Sequence, residues 1–260
     1  MQLSGHTILI TGGASGIGLE LARRLLAMNN TVIASGRDKN KLDAAKKALP
    51  GLHTLVNDIS KPNDIVALHA AVTKDFPRLN ILINNAGIMR RINLHHEVSN
   101  LTDLTQEIAT NLSGTIQMTS QFLPHLKQQP TAAIMIVTSG LAFVPLPISP
   151  IYCATKAGLH SFSLSLRAQL KHTKVKVFEL APPATDTTLL VGANINDLKG
   201  IQIMSVSDMV DVAIKGVEQD RFEICPGMSK QLRLMGRIAP EFIFKQMSRT
   251  VERMLKSDPA

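Results

Sequence analysis

Six strand-sized segments rich in apolar residues alternate with helical segments over the first 180 positions. The strand-like segments cover residues 6–11, 31–35, 52–58, 79–84, 132–139 and 174–180, and the helical ones cover 16–30, 38–49, 62–75, 101–127 and 151–171. Strands that are apolar on both faces and separated by helices indicate a parallel sheet covered on both sides. Right-handed crossovers then predict a Rossmann-type, doubly wound α/β fold.

No repeat, linker or low-complexity segment interrupts this pattern, so we predict a single domain over residues 1–260. A chain of 260 residues with 45% hydrophobic and 18% charged residues can bury a full core. Residues 188–204 are the one stretch that departs from the alternation. They follow the carboxyl end of a strand, where sheets of this kind bind ligands.

The formal net charge is +8, and it is spread along the chain. One local excess lies at residues 227–260, where seven basic residues face three acidic ones. Eight phenylalanines, one tyrosine and no tryptophan leave few aromatic rings for base stacking, so no nucleic-acid partner is expected. Two interpretations of the basic tail stay open: a solvated basic face, or a surface that docks on an anionic polymer or lipid.

The apolar runs are far shorter than the roughly 20 residues of a membrane-spanning helix, and no signal peptide is evident. Cys153 and Cys225 have no paired spacing, which favours reduced thiols and a cytoplasmic location. The adjacent His95 and His96 lack the spacing of a metal site, and no metal is expected.

A glycine-rich turn, TGGASGIG, joins the first strand to the first helix. Gly12 permits a tight exit from the strand, Gly16 allows a pyrophosphate to approach the backbone, and Gly18 allows close packing of helix and strand. The helix N-terminus adds free N–H groups and the positive end of its dipole. We expect the whole turn to bind a dinucleotide, including Ala14, Ser15 and Ile17.

The second strand ends in ASGR, where a site for NAD usually carries an acidic residue that binds the ribose 2′-hydroxyl. Gly36 holds that position and Arg37 follows it. A guanidinium can bind a 2′-phosphate through two hydrogen bonds, which favours NADP over NAD. The neighbouring Asp38 weakens this preference, and Arg37 stacked on adenine or facing solvent is the alternative.

Tyr152, the only tyrosine in the chain, is followed four residues later by Lys156. Residues four apart share one face of a helix, and a cation so placed would favour the phenolate of a group that normally titrates near ~10. Ser139 precedes the tyrosine by 13 residues, at the end of the fifth predicted strand. The three side chains together predict a proton-transfer site.

The glycine turn, the INNAG of residues 83–87 and the Ser-Tyr-Lys set occur in the order found in the short-chain dehydrogenase/reductase family, which this chain resembles. A finer likeness, to the DltE-type oxidoreductases of bacteria, rests on segments such as NNAGIMRRINL and GRIAPEFIFKQM. The resemblance implies an NAD(P)-dependent oxidoreductase that interconverts a carbonyl and a secondary alcohol. It also implies a homodimer or homotetramer, with cofactor contacts mainly in residues 1–130 and substrate contacts in 131–260.

By resemblance, Tyr152 is the general acid/base, and Lys156 holds the nicotinamide ribose and lowers the tyrosine pKa. Ser139 binds the substrate oxygen, and Asn111 links the lysine to solvent. The further cofactor contacts that the resemblance implies are Asp58, Ile59, Asn85, Ala86, Gly87, Pro182 and Thr187. For the substrate wall, the residues after Ser139 and the 188–204 segment suggest Leu141, Phe143 and Leu189.

One departure from the family pattern is Pro182-Pro183, where the second residue is commonly glycine. Proline has no backbone N–H, so the contact expected of Thr187 is the least secure. The alternative function is a non-catalytic NAD(P)-binding sensor or scaffold, which the basic tail could hold on an anionic surface. Loss of Tyr152, Lys156 or Ser139 would have indicated it, and all three are present.

Overall fold

The fold is that of a computed structural model, which describes residues 1–96, 100–187 and 202–257. Its sheet is parallel throughout, with the strand order β3-β2-β1-β4-β5-β6-β7. The strands are β1 (Thr7–Thr11), β2 (Thr31–Gly36), β3 (His53–Val56), β4 (Leu79–Asn84), β5 (Ala132–Val137), β6 (Val175–Leu180) and β7 (Glu223–Ile224). The predicted doubly wound α/β fold is confirmed.

The helices of the described residues lie between these strands and after the last of them. They are α1 (Gly16–Ala27), α2 (Lys39–Ala48), α3 (Pro62–Asp75), α4 (Leu101–Leu104), α5 (Thr115–Gln128), α6 (Pro150–Gln169), α7 (Val206–Glu218), α8 (Met228–Ile238) and α9 (Pro240–Ser257). A π-helix covers Ile108–Gly114 and a 3-10 turn covers Gly140–Ala142. No described helix combines the length and the apolar character that crossing a membrane requires.

Alternation along β1 divides the core into two layers. Ile8 and Ile10 face one layer, formed with α1, α2 and α7, while Leu9 faces the other, formed with α3, α5 and α6. All three side chains are fully buried. Burying a side chain of this size contributes roughly 1.5–3 kcal/mol, so a strand with two apolar faces is stable only between two layers of helices.

The chain order reverses between β1 and β4, which lie side by side at the centre of the sheet. Loops after two such strands diverge and leave a crevice at their carboxyl ends. The turn after β1 and residues 85–87 after β4 form this crevice. Asn85 joins the two sides of the crevice at its base, because its side-chain amide donates to the carbonyl oxygens of Thr11 (3.0 Å) and Gly12 (3.2 Å).

The helical region predicted over residues 101–127 is confirmed, but it is interrupted by a turn at Thr105 and continues as a π-helix before α5. Asn100 caps the four-residue α4, and Glu107 turns its carboxylate inward, where it accepts the backbone N–H of Arg90 at 3.0 Å. The π-helix then brings Gly114 against residue 59, where a β-carbon would lie only 2.5 Å from the Ile59 carbonyl oxygen. These contacts come from distant parts of the chain and override the helical periodicity.

Candidate active site

Tyr152 and Lys156 lie on the first turns of α6, which begins at Pro150. Both side chains are buried, and the lysine Nζ lies 5.6 Å from the centroid of the phenol ring. The ammonium donates to the Val137 carbonyl oxygen at 2.8 Å, which ties α6 to the end of β5. The predicted pair therefore shares one face of the helix and points at the carboxyl edge of the sheet.

The effect of Lys156 on the tyrosine pKa stays a prediction, because burial outweighs it in this arrangement. Burial raises the pKa of Tyr152 to about 12, and hydrogen bonding with Ser139 acts in the opposite direction. The ammonium does not reach the phenol oxygen in a hydrogen bond, since it is directed to a backbone carbonyl. Desolvation therefore dominates over the nearby cation.

Burial acts on the lysine in the opposite sense and lowers the pKa of Lys156 to about 8. Both shifts favour the neutral forms of the two groups. An anionic or strongly polar ligand placed between them would favour the charged lysine again. The pair is thus sensitive to whatever occupies the crevice.

Ser139 follows β5 directly and is held by its neighbours. The hydroxyl of Thr138 donates to the Glu179 carboxylate at 2.8 Å, and the N–H of Gly140 donates to the Pro182 carbonyl at 2.8 Å. The Ser139 oxygen accepts the Leu141 N–H at 3.1 Å. This bond uses only the oxygen of the Ser139 hydroxyl group. The hydroxyl can therefore still donate its proton to an oxygen that approaches Tyr152.

Asn111 lies in the π-helix and is fully buried. Its side-chain oxygen accepts the Ile88 N–H and its amide donates to the Ile88 carbonyl, both at 2.8 Å, while the amide also reaches the Thr155 hydroxyl at 3.2 Å. A β-carbon on Gly87 would lie 3.3 Å from the Asn111 oxygen and 3.6 Å from the Lys156 Nζ. The structure therefore places Asn111, Gly87 and Lys156 together, and the water-mediated role of Asn111 stays a prediction.

The glycine turn leaves the sheet as predicted. Gly12 has φ +65° and donates to the Ser35 carbonyl at 2.7 Å, and a β-carbon on Gly18 would lie 2.3 Å from the Gly12 oxygen. Ser15 precedes α1 without capping it through its side chain, so the first N–H groups of the helix are available to a ligand. The other residues predicted for this turn, Ala14 and Ile17, lie within it and pack on the core layer beneath.

Thr187 lies over the same turn. A β-carbon on Gly16 would approach the Thr187 side chain to 3.2 Å, so a ligand at the glycine turn would meet this threonine. Pro182 contributes its carbonyl oxygen, which accepts from Gly140 and links the end of β6 to the serine loop. Pro182 therefore still accepts a backbone hydrogen bond through its carbonyl oxygen. The Pro-Pro sequence lacks only the backbone N–H that a glycine at position 183 would supply.

At the other end of the crevice, two side chains that the sequence did not indicate give the clearest sign of a bound ligand. Ser35 is the penultimate residue of β2 and Asn57 directly follows β3; both are buried. Neither the Ser35 hydroxyl nor either polar atom of the Asn57 amide has a hydrogen-bond partner among the described residues. Buried polar groups without partners are rare, so these two indicate a polar ligand at this position. Their positions at the carboxyl ends of neighbouring predicted strands could have identified them from the sequence.

The predicted adenine-side residues lie around this point. Arg37 is exposed, and Asp38 caps α2 by accepting the Lys41 N–H at 3.1 Å. The Asp58 carboxylate accepts from Ser60, and Ile59 is 94% buried in the core beside Gly114. Arg37 is thus an exposed cation at this end of the crevice. Although burial acts to raise the pKa of Asp58, Arg37 lies near enough to that carboxylate to help the Ser60 hydrogen bonds lower it.

The residues predicted for the substrate side of Tyr152 lie in different surroundings, and their contact with a substrate stays a prediction. Leu141 packs in the apolar cluster around the tyrosine, whereas Phe143 stacks edge-to-face on His160 with the ring centroids 5.1 Å apart. Leu189 lies outside the described residues. The sequence did not indicate the role of the carboxyl-terminal helix α9, which contributes Met254 to the buried cluster that contains Tyr152 and packs Met247, Val251 and Leu255 against that cluster. Their spacing of four, three and one is the helical pattern that would have indicated a buried face.

A second polar cluster lies behind Ser139. The His160 ring bonds to the fully buried Glu179 at 2.9 Å, and Glu223 pairs with Arg233. His160, Glu179 and Glu223 come close enough to suggest a cation site. Each of them already has a charged or polar partner in the protein, so we interpret the cluster as an ionic network that supports the Thr138-Ser139 turn.

Comparison with known proteins places these features in context. The family model described as short chain dehydrogenase matches residues 6–197. An "Uncharacterized oxidoreductase DltE" of Bacillus subtilis (strain 168) is 42% identical over 250 residues, which are 95% of this chain and 98% of that protein.

Two solved structures share the fold. A short-chain dehydrogenase from Sphingobium yanoikuyae in complex with NADPH is 27% identical with a TM-score of 0.78, over 98% of this chain and 96% of that one. A short chain dehydrogenase from Burkholderia cenocepacia J2315 in complex with NADP is 24% identical with a TM-score of 0.81, over 95% of this chain and 99% of that one.

Proposed function

The chain belongs to the short-chain dehydrogenase family, and we propose that it is an NAD(P)-dependent oxidoreductase that interconverts a carbonyl and a secondary alcohol, with NADP as the preferred cofactor. The oxidoreductase class that the motifs implied is confirmed by the family match. The observation that carries the proposal is the convergence of Ser139, Tyr152 and Lys156 at the crevice above the glycine turn.

The residues of the crevice suit a dinucleotide. The glycines let the backbone of the turn pack closely on its neighbours, where β-carbons at Gly12 and Gly18 would clash, and the N-terminus of α1 presents unengaged N–H groups to a pyrophosphate. The unpartnered Ser35 and Asn57 lie where a nucleoside would supply their missing hydrogen bonds. Arg37 is exposed beside them and can bind a 2′-phosphate, which supports NADP over NAD. The relative from Sphingobium yanoikuyae was crystallised with NADPH.

When bound, the nicotinamide supplies or accepts the hydride. The protein's own part is the proton. With its pKa raised to about 12, the Tyr152 phenol is protonated at neutral pH, the form that can donate to a carbonyl oxygen becoming an alkoxide. Ser139 can donate to the same oxygen and orient it. In the reverse direction, the phenolate would accept the alcohol proton, and a charged Lys156 would stabilise that phenolate.

The cover formed by α9 indicates the kind of substrate. Methionine, valine and leucine side chains surround the phenol, so the pocket offers apolar contacts beside a single polar reaction point. Methionine adapts to irregular shapes, which suits a range of apolar carbonyl compounds. We therefore propose a medium-sized, mainly apolar ketone or aldehyde as substrate.

The test is the substitution of Tyr152 by Phe. A panel of aliphatic and cyclic ketones is offered to the wild type with NADPH, and the variant is measured on every substrate accepted. We expect kcat to fall by about 10²–10⁴-fold, the usual contribution of a general acid, because the ring is kept and only the hydroxyl is lost. The affinity for NADPH, measured by cofactor fluorescence, should stay within about twofold, since the substitution keeps the ring and leaves the glycine turn and Arg37 unchanged. Undiminished turnover by the variant would remove the basis of the assigned role.

A further inference from the structure

Helices α8 and α9 carry an outward surface that combines exposed apolar and basic side chains. On α8, Leu234 and Ile238 are 56% and 69% exposed, and on α9 Phe242 is 58% exposed. Side chains of this size usually lie in the core of a protein, and three so close together along the chain indicate an interaction site. We call the surface formed by these three residues and the basic residues around them the α8–α9 surface.

The basic residues lie on the same helix faces as the apolar ones. Lys230 precedes Leu234 by four positions, and Ile238 follows it by four, so the three form one row along α8. On α9, Lys245, Arg249 and Lys256 follow Phe242 by three, seven and fourteen positions, which again places them on one face. Arg237 is exposed beside the row on α8.

The charge of this surface is not neutralised within the described part of the chain. Lys230, Arg237, Lys245, Arg249 and Lys256 are exposed and form no ion pair with the described residues. The exposed acidic residues on the two helices are Glu241 and Glu252. The surface is therefore basic, with apolar side chains that project between the cations.

We infer that the α8–α9 surface docks on an anionic lipid membrane, with the apolar side chains entering the headgroup region and the cations binding the headgroups. An interfacial helix has this composition: apolar side chains on the face that meets the membrane, and lysine and arginine around them. Charge complementarity decides between the possible occupants. A second copy of the chain would bring five like charges against five, which is repulsive, whereas an anionic surface attracts all of them.

The opposite face of α9 relates the proposed membrane contact to the candidate active site. Met247, Val251 and Met254 pack on the cluster that contains Tyr152. The helix that meets the membrane is thus the helix that covers the phenol. Docking would bring the apolar cover of the site to the phase in which apolar carbonyl compounds are concentrated.

The test uses the purified full-length protein and sedimentation with vesicles, so it does not depend on catalysis. We expect binding to vesicles that contain phosphatidylglycerol, at least tenfold weaker binding to pure phosphatidylcholine, and loss of binding as salt is raised. Replacing Lys245 and Arg249 by Glu should weaken binding by about 25-fold or more, since each basic residue near such a surface strengthens binding about fivefold. The matched control replaces Lys46 and Lys47 on α2 by Glu, which changes the net charge equally on an exposed helix elsewhere, and should have little effect.

A second pair of variants tests the apolar part. Phe242→Ser should reduce vesicle binding by about tenfold, whereas Leu101→Ser, at a side chain that is 73% exposed on α4, should not. All the substituted residues are exposed, and circular dichroism verifies that the variants are folded. Absence of binding to the anionic vesicles, or equal losses in the tail and control variants, overturns the inference. Lipid-independent self-association that Phe242→Ser abolishes also overturns it, because the surface would then belong to a second copy.

Discussion

The Tyr152 phenol is expected to ionise well above the range of an exposed tyrosine when the protein carries no cofactor. Burial raises its pKa to about 12, against an ordinary value of 10.0. At about 1.4 kcal/mol for each pKa unit, the protein disfavours the phenolate by about 3 kcal/mol, so the phenolate is on the order of 100-fold scarcer at a given pH than in an exposed tyrosine.

The measurement is an alkaline titration followed by the near-ultraviolet absorbance of the phenolate. Tyr152 is the only tyrosine and the chain has no tryptophan, so the signal belongs to one group. The folded pKa lies above the unfolded one, so the stability that the buried phenol contributes is fully present below about pH 10 and is lost as the pH rises through about 12. Far-ultraviolet circular dichroism at each pH separates ionisation in the folded protein from ionisation that follows unfolding.

A substitution that lets water reach the phenol tests whether burial is what raises the pKa of Tyr152. Met254 packs on the tyrosine cluster and is 96% buried, so Met254→Ala should lower the pKa of Tyr152 towards 10. Met209→Ala is the control, because Met209 is fully buried in the opposite core layer and its loss costs a similar ~2–5 kcal/mol of stability. A wild-type midpoint near 10 with the helical signal intact would refute the reasoning, as would equal shifts in the two variants.

Two further predictions concern single charged groups. Arg37→Asp should raise the KM for NADPH about 10–150-fold relative to that for NADH, the equivalent of a lost charge-assisted hydrogen bond of ~1.5–3 kcal/mol. Lys39→Asp is the control, because it alters the charge equally at the exposed start of α2, and an equal effect there would contradict a specific phosphate contact. His160 has its pKa raised by its hydrogen bond to Glu179, so the bond adds stability that is fully present below about pH 6.5 and is lost as the pH rises through the folded pKa. We therefore expect His160→Gln to lower Tm by about 2–4 °C at pH 5.5 and by less at pH 8.5, and a pH-independent difference would count against it.

The parts of the molecule that the sequence predicts well are those decided by local chemistry. Apolar runs such as residues 79–84 can be stable only inside a sheet with two covered faces, and the glycines at 12, 16 and 18 are needed where the backbone turns tightly or approaches its neighbours. The spacing of Tyr152 and Lys156 follows from the pitch of a helix. For these features, the order of residues alone carries the information.

The parts that the sequence does not predict depend on what lies nearby in space. The pKa of Tyr152 is governed by burial under a helix about 100 residues later in the chain, which no spacing between the tyrosine and the lysine reveals. Ser35 and Asn57 are informative only because the fold leaves them without partners. The break in the predicted helix at 101–127 follows from contacts of Glu107 and Gly114 with other segments. The oligomeric state implied by the resemblance stays a prediction.

Helix α9 supplies part of the candidate active site from outside the region that the family model matches. The family match ends at residue 197, and the side chains that cover Tyr152 come from residues 247–255. The proton-transfer groups and the glycine turn are therefore fixed by one part of the chain, while the wall that a substrate would touch is supplied by another. Substitutions in this final helix can change the shape of the pocket without altering the sheet, the turn or the Tyr-Lys pair. We therefore expect substitutions on the inner face of this helix to change the choice of substrate more than they change cofactor binding.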